Sequence, residues 1–158
     1  MQIQGDHNFA VPPDLVWQQL MDPDALRATI PGCEKLTTVG PDSYDMIVKV
    51  GISAIRGTYT GNVTMRDPQA PSQYRLKAGG GGKAGNVEGD ATIRLVPDGG
   101  GTVLTYVADV RARGPIARLG SRLVGSAAKM MAGRFFKALD QHIEQQQTEQ
   151  QETPVQES

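Results

Sequence analysis

Apolar and polar residues alternate along much of the first 111 positions of the chain. From residue 3 to residue 9, every second position holds Ile, Gly, His or Phe, and polar residues lie between them. This period of two is typical of a strand with one buried face. The same period predicts six further strands, at 33–39, 44–50, 58–66, 73–78, 86–96 and 102–111.

Two short helices are predicted between the first strand and the other six. Residues 14–21 and 24–29 carry apolar residues at helical spacing, and each segment follows a turn that contains proline. The second helix is expected to end before Pro31, because the residue that precedes a proline is disfavoured in the α conformation.

Glycine-rich connections separate some of the later strands. The runs at 79–82 and 98–101 consist of glycine apart from one aspartate, and such runs are typical of hairpin turns. Strands joined by connections this short are antiparallel. The six later strands are therefore expected to form one antiparallel sheet with the first.

One long helix is predicted over residues 115–145, beginning after Gly114 with Pro115 at its first position. Its apolar residues recur at spacings of three and four, as in a helix that packs one face on a core. They are Ile116, Leu119, Leu123, Val124, Ala127, Met130, Met131, Phe135, Leu139 and Ile143.

Two features of this predicted helix are unusual. The apolar residues of its first and second halves are out of phase by roughly a third of a turn, so we expect the apolar face to shift near Gly125 or Gly133. Glycine and alanine also occupy many positions where larger side chains would fill a packed face. These small residues fit either a helix that lines a cavity or a helix that packs closely against a sheet.

The order of elements predicts an α+β fold with one strand, two short helices, six strands and one long helix. A curved sheet of seven antiparallel strands, bent at interior glycines such as Gly57, Gly61 and Gly89, is expected to wrap around the long helix. We assign one domain to residues 1–146. Residues 147–158 are predicted to be a disordered polar tail, because Gln, Glu and Thr cannot bury enough apolar surface to fold.

The amino-acid composition argues against several classes of protein. The formal net charge of −1 argues against a nucleic-acid partner, for which a basic domain is expected. The single cysteine, Cys33, excludes an internal disulfide and a cysteine cluster for metal. No stretch approaches the roughly 18 apolar residues of a membrane span, and the first residues lack the pattern of a signal peptide. We therefore expect a cytoplasmic protein.

The charges are segregated along the chain. Seven basic residues and no acidic residue lie between positions 110 and 139, whereas the tail is acidic. Arg118, Arg122 and Lys129 fall on one side of the predicted long helix, away from its early apolar residues. This basic face is predicted to contact an acidic protein partner or anionic lipid. The alternative is an ordinary solvated face.

Few residues are placed for catalysis. His7 and His142 have no neighbouring nucleophile in the predicted elements, and Cys33 is interpreted as a buried small hydrophobic residue. Arg134 is the one charge on the early apolar side of the long helix. It is a candidate to contact a ligand's polar group or a buried acid, unless it lies at the edge of the face. No spacing of His, Asp and Glu indicates a metal site.

Several local motifs accompany this order of elements. The most specific is the run Pro31-Gly32-Cys33-Glu34 after two short helices, and the others lie in segments 16–23, 57–61 and 114–120. Together they resemble the helix-grip superfamily that includes START and Bet v 1 domains. More narrowly, over about residues 3–139 the chain resembles the family of the G subunit of carbon monoxide dehydrogenase.

The resemblance implies a non-catalytic accessory protein with an internal apolar cavity and no tightly bound cofactor. It implies a quinone or other lipid as ligand and a molybdenum hydroxylase as partner. The protein would recruit that enzyme to the cytoplasmic face of the membrane or supply it with an electron acceptor. Family members often end in an apolar membrane-binding segment, whereas this tail is polar, so anchoring through the tail is not expected here.

An enzyme of the same fold is the alternative. It would act on a polyketide-like or aromatic substrate in the cavity, through a residue such as Tyr59 or Arg134. The fold supports both classes, so only the site can decide between them. The sequence places no convergent set of titratable groups in the cavity, and this favours a binding protein.

We predict that the ligand cavity lies between the concave face of the sheet and the long helix. Tyr59 is predicted to orient a ligand carbonyl through its hydroxyl while its ring stays in apolar contact. Adjacent methionines suit a wall that adapts to a flexible ligand. The predicted lining residues are Phe9, Val48, Tyr59 and Leu76 on the sheet and Leu123, Ala127, Met130, Met131 and Phe135 on the helix.

Overall fold

A computed structural model of the protein describes the backbone of residues 1–52 and 55–152, and side chains as far as residue 149. The two short helices are α1 (Pro13–Leu20) and α2 (Pro23–Thr29), and the long helix is α3 (Ser121–Glu152). The strands are β1 (Gln2–Phe9), β2 (Cys33–Gly40), β3 (Ser43–Val50), β4 (Gly57–Gln69), β5 (Gln73–Gly82), β6 (Gly85–Asp98) and β7 (Gly101–Arg113). A 3-10 turn, Pro115–Leu119, lies between β7 and α3.

The seven strands form one curved antiparallel sheet in the order β1-β7-β6-β5-β4-β3-β2. Strands β2 to β7 follow one another as hairpins, as the short connections predict. β1 pairs instead with β7, with Phe9 opposite Thr102 and Gln2 opposite Asp109. With α3 against the sheet and two short helices after β1, the predicted fold class is confirmed.

The two short helices begin and end where local chemistry requires. Pro13 and Pro23 each lie in a first turn, where the missing N–H is not needed. The Asp22 carboxylate caps α2 by accepting a hydrogen bond of 3.0 Å from the backbone N–H of Asp24. α2 ends at Thr29, because the backbone of the next residue, Ile30, is extended ahead of Pro31.

The long helix begins later than the sequence predicts. Residues 115–119 form a 3-10 turn bounded by Gly114 and Gly120, which have φ of 82° and 88°. A positive φ cannot continue a right-handed helix, so Gly120 separates the turn from α3, which starts at Ser121. The prediction of a single helix from Pro115 is therefore wrong, because residues 115–119 form a separate 3-10 turn.

α3 presents one continuous apolar stripe to the rest of the molecule. The residues of the stripe are Val124, Ala127, Ala128, Met131, Ala132, Phe135, Phe136, Leu139 and Ile143, all buried or half-buried. Their spacings of three and four keep one face over five turns, so the predicted shift of face is wrong. It arose because Ile116 and Leu119 belong to the 3-10 turn and because Leu123 is exposed.

The glycine run at 79–82 belongs to a strand and not to a turn. Its residues pair with Gly85–Glu88 of β6, and the turn itself consists of Lys83 and Ala84. A Cβ atom on Gly61 of β4 would lie 2.5 Å from the carbonyl oxygen of Gly79. β4 and β5 therefore approach too closely here for a side chain, which is why these positions carry glycine.

The C-terminal helix also extends further than predicted. α3 continues to Glu152, so residues 147–152 are helical, although they fall in the predicted disordered tail. Residues 153–158 lie outside the described part of the chain. The last buried apolar residue of α3 is Ile143. That the tail contributes nothing to folding stays a prediction.

Candidate functional site

Two adjoining apolar cavities lie between the sheet and α3. The first cavity, of about 340 Å³, lies under the start of α3 and against β3, β4, β5 and β6. One wall consists of Ile116 of the 3-10 turn with Val124, Ala128 and Met131 of α3, and the sheet wall includes Val48. Both of its walls are almost entirely apolar.

The second cavity, of about 350 Å³, lies under the middle of α3 and against β1, β5, β6 and β7. Ile30 and Pro31, which link α2 to β2, close one side of it. The two cavities share the lining residues Ala78, Gly89 and Met131. They therefore adjoin across the middle of the sheet, with the flexible side chain of Met131 between them.

Small residues at the centre of the sheet produce this space. Strand alternation points the side chains of β5 and β6 inward at every second position, and several of these inward positions, near the middle of the two strands, are glycine or alanine. Gly61 pairs with Gly80, Ala78 pairs with Gly89, and Ala91 pairs with Ala108. The side chains of these paired residues are too small to reach α3, so a gap remains under the helix.

Some small residues of α3 line a cavity and others allow close packing, so both alternatives that the sequence left open occur. Ala128 lines the first cavity and Ala132 lines the second. Gly125, in contrast, allows close packing, since a Cβ atom there would lie 3.1 Å from Met1 Sδ and 3.6 Å from Ile3 Cγ2.

Five of the nine predicted lining residues lie at these cavities. Val48 and Tyr59 line the first cavity, Leu76 and Phe135 line the second, and Met131 lines both. The three sheet residues lie on the inner face that strand alternation assigns to them. The helical repeat identified Met131 and Phe135, because both lie on the apolar stripe of α3.

The other four predicted lining residues lie elsewhere. Leu123 and Met130 are 52 % and 45 % exposed, so they are on the outer side of α3. Phe9 and Ala127 are buried but line neither cavity. The misplacement on the helix follows from the predicted start at Pro115, which gave the wrong apolar face.

The hydroxyl of Tyr59 has a different role from the predicted one. It donates a hydrogen bond of 2.7 Å to the backbone carbonyl of Ile55. Burial raises the pKa of Tyr59 above its usual range, so the phenol stays protonated and keeps this bond. The Tyr59 ring lines the first cavity, but its proton is not available to a ligand carbonyl.

Several lining residues were not predicted from the sequence. Tyr74 and Tyr106 lie on the inner faces of β5 and β7 and line the second cavity together with Phe136 of α3. The alternation of these strands was visible in the sequence and could have identified both tyrosines. The small inward residues were missed because glycine and alanine add little to a hydrophobic pattern.

The three predicted surface residues are all exposed. Arg122 and Lys129 lie two turns apart on α3 and border a surface groove beside Gln2 and Gln4 of β1. Arg118 belongs to the 3-10 turn, so it does not share their face of the helix. Arg134 is also exposed and lines neither cavity, so it does not contact a ligand there.

The remaining candidates for chemistry have structural roles. His7 Nε2 lies 3.0 Å from Asp140 Oδ2 and ties β1 to α3. Cys33 is half-buried, where a buried residue was expected, and its thiol donates to the carbonyl of Lys35. Burial raises the pKa of this thiol against the smaller opposing effects of Lys35 and Arg27, so the reactive thiolate is scarce at neutral pH.

Within the described residues, no group of three or more His, Cys, Asp or Glu side chains is arranged to hold a metal ion. In the same part of the chain, no helix combines the length and the apolar character that a bilayer span requires.

Comparison with protein families gives a match to CoxG, the G subunit of carbon monoxide dehydrogenase, over residues 5–144, nearly the whole described chain. No curated protein matches the sequence. Among solved structures, a conserved protein from Geobacillus kaustophilus is 32 % identical with a TM-score of 0.88, and the alignment covers 92 % of this chain and 96 % of that one.

More distant structures share the fold. A START superfamily protein from Mycobacterium smegmatis is 15 % identical with a TM-score of 0.73, covering 91 % of this chain and 97 % of that one. The protein Ara h 8.0201 is 12 % identical with a TM-score of 0.67, covering 90 % and 97 %. At these identities the likeness establishes the architecture alone.

Proposed function

The chain belongs to the CoxG family, that of the carbon monoxide dehydrogenase G subunit, and from that premise we propose that it is a non-catalytic accessory protein that carries an apolar ligand between its sheet and α3. The observation that carries this proposal is the pair of adjoining cavities under α3. Each has a volume within the range of roughly 300–1,000 Å³ that is usual for small-molecule sites.

The ligand that fits these cavities best is a quinone or a similar lipid. Two compartments that meet at Met131 can hold a ring system in one and an apolar chain in the other. Apolar walls attract such a molecule because binding removes its surface and theirs from water. Met131 can change rotamer to accommodate ligands of different shape.

The partner that we infer is a molybdenum hydroxylase related to carbon monoxide dehydrogenase, whose G subunit gives the family its name. A carrier that holds a quinone out of water could deliver it to that enzyme as an electron acceptor. Delivery requires a ligand that is held without covalent attachment and that can leave. Apolar contacts that a flexible methionine can rearrange satisfy this requirement.

A binding role is favoured over catalysis by the chemistry of the walls. The described residues that line the two cavities include no His, Cys, Lys or Arg. Glu88 is the one carboxylate among them, and it is an exposed residue that alternates along β6 with the inward Val87 and Gly89. The described lining therefore offers no inward-facing His, Cys, Lys or carboxylate to act as a general base or nucleophile. An enzyme that acts on an aromatic substrate remains the competing hypothesis, and turnover of such a substrate would support it.

A second role, peripheral contact with an anionic membrane surface, is supported by the outer side of α3. Leu123 and Met130 are exposed apolar residues two turns apart, and Arg134 and Lys137 continue the same side of the helix. Exposed apolar side chains among basic ones are typical of helices that lie on anionic lipid. We infer that this side recruits the protein to the cytoplasmic face of the membrane.

The carrier function is tested by identifying what the protein holds. The full chain is purified from a quinone-producing host without detergent, extracted with organic solvent, and the extract is analysed by mass spectrometry. We expect a quinone or lipid at a substantial fraction of the protein concentration. A protein that contains no extractable apolar molecule and takes up none from added quinone would contradict the proposal.

A further inference from the structure

Two buried hydroxyls at the second cavity, those of Tyr74 and Tyr106, make no hydrogen bond to a described residue. Tyr74 is 3 % exposed and lines this cavity, and its hydroxyl makes no hydrogen bond to any described residue. The Tyr74 hydroxyl is not fully enclosed by protein atoms. In the described part of the chain, the only fully enclosed side-chain N or O atom without a partner is Gln19 Oε1. The open space that the structure describes beside Tyr74 is the second cavity, which this residue lines.

We propose that the Tyr74 hydroxyl is the polar anchor of the ligand site, donating a hydrogen bond to a carbonyl oxygen of the bound molecule. This inference rests on the proposed carrier function and deepens it. It places the carbonyl-bearing end of the ligand in the second cavity, and it directs the remaining apolar part past Met131 into the first.

An unpartnered hydroxyl at this position calls for an explanation. Roughly 90 % or more of buried polar groups in proteins have a hydrogen-bond partner. A lone water is a poor partner here, because a buried water typically needs about three hydrogen bonds and the walls around Tyr74 are apolar. A ligand oxygen needs only the one bond, since its other side is part of an apolar molecule.

The other tyrosines that line the cavities are less suited to this role. The Tyr59 hydroxyl already donates to Ile55. The ring of Tyr106 lies across Gly5, where an added Cβ atom would be 2.8 Å from the Tyr106 hydroxyl oxygen. This hydroxyl therefore lies toward the β1 edge of the sheet, where a second, surface-facing groove also includes Tyr106.

Tyr74 is held in place as a donor. Its ring meets Trp17 of α1 edge to face, with ring centroids 5.5 Å apart and an interplanar angle of 88°, so the ring is fixed from outside the cavity. Burial raises the pKa of Tyr74 far above its usual range, so the phenol remains protonated at working pH. A protonated phenol can donate to a carbonyl, which has no proton of its own.

The test compares two probes that differ in their carbonyl groups. The probes are 2-methyl-1,4-naphthoquinone and 2-methylnaphthalene, whose ring carbon skeletons are the same. Their affinities for the full chain are measured by titration calorimetry. Quenching of Trp17, which is the single tryptophan, reports whether the quinone binds beside Tyr74.

We expect Tyr74→Phe to weaken quinone binding about three- to tenfold, as for the loss of one hydrogen bond, and to leave binding of the hydrocarbon unchanged or slightly tighter. Tyr44→Phe is the matched control, because Tyr44 is equally buried but lines neither cavity. It should change neither affinity. Thermal melting of both variants shows whether the fold is retained.

The outcomes separate this inference from the proposed function. Equal quinone affinities of the wild type and Tyr74→Phe would overturn the anchor while leaving the carrier function standing. An equal loss of affinity for both probes would also overturn the anchor. The hydroxyl would then affect the shape of the cavity and would not bond to the carbonyl. A wild type that binds neither probe would overturn the carrier function itself and the anchor with it.

Discussion

Ala127 and Ala128 are neighbours in α3 with different surroundings. Ala128 lines the first cavity, whereas Ala127 is buried and lines neither cavity. A larger side chain at position 128 enters open space, but at position 127 it must displace packed atoms. A larger residue at position 128 therefore tests whether the cavity is empty in solution, and the same substitution at position 127 is the control.

We predict that Ala128→Leu weakens binding of an apolar fluorescent probe, N-phenyl-1-naphthylamine, with less than about 1 kcal/mol change in the free energy of unfolding, because it fills vacant space. Ala127→Leu should instead cost about 1–3 kcal/mol by overpacking. Urea denaturation and probe titration of both variants check this. Equal destabilisation by the two substitutions would show that position 128 is packed and that the first cavity is absent.

Single residues also show what a sequence can and cannot reveal about the site. Val48, Tyr59 and Leu76 were predictable because strand alternation alone assigns the inner face. Tyr74 had the same signal, but its missing partner is a property of three-dimensional packing that no local pattern encodes. The role of Tyr59 was mistaken for the same reason, since its bond to Ile55 depends on the fold of an irregular connection.

At the scale of elements, the type of each helix and strand followed from periodicity, and the boundaries did not. Strands β4 to β7 run longer than their alternating segments, because pairing with a neighbour extends them into polar and glycine-rich residues. The start of α3 was misplaced because Gly120 takes a positive φ, which a helical pattern of apolar residues does not exclude.

The end of α3 leads to a prediction about truncation. Beyond Ile143, the described residues of the helix are exposed or half-buried, and Thr148 bonds only to Glu144 one turn earlier. Removing residues 147–158 should therefore change the melting temperature by no more than about one or two degrees, as calorimetry can measure. A loss of several degrees would mean that this part of the chain packs against the domain.

The control for that truncation is Ile143→Ala. Ile143 is 4 % exposed and belongs to the core, and removal of such a side chain typically costs about 2–5 kcal/mol. For a chain of this length, each kcal/mol corresponds to roughly 2–4 °C in melting temperature. The variant should therefore melt clearly lower than both the wild type and the truncated chain.

At the scale of the whole molecule, basic residues are concentrated around the 3-10 turn and α3. Within the described residues, Arg118, Arg122 and Lys129 form no ion pair. Exposed cations that no ion pair neutralises create a positive field that attracts anionic surfaces at low ionic strength.

We predict that replacing all three with Glu weakens sedimentation with phosphatidylglycerol vesicles at low salt while the fold persists. The matched control replaces Arg66, Lys77 and Arg94, which are exposed on the opposite face of the sheet, and makes the same change in net charge. It should have a much smaller effect. If both triple variants lose binding equally, net charge and not this surface governs the association.

The whole fold was more predictable than the site within it. Six consecutive strands with short connections leave few arrangements other than a meander, and the motif at Pro31 to Glu34 pointed to a known architecture. The position of β1 beside β7 did not follow from connection length, because the two strands are distant in sequence. That pairing and its register came only from the structure.

The pairing of β1 with β7 has a consequence for how the protein is made. β1 leaves the ribosome before β7, and the two strands are on the order of a hundred residues apart, which is roughly 5–20 s at ordinary elongation rates. During that time β1 has no neighbour to pair with, and the polar residues at every second position of this strand help to keep it in solution. The cavities under α3 can close only after β7 and α3 have been made, so a nascent chain has no enclosed apolar cavity before that point.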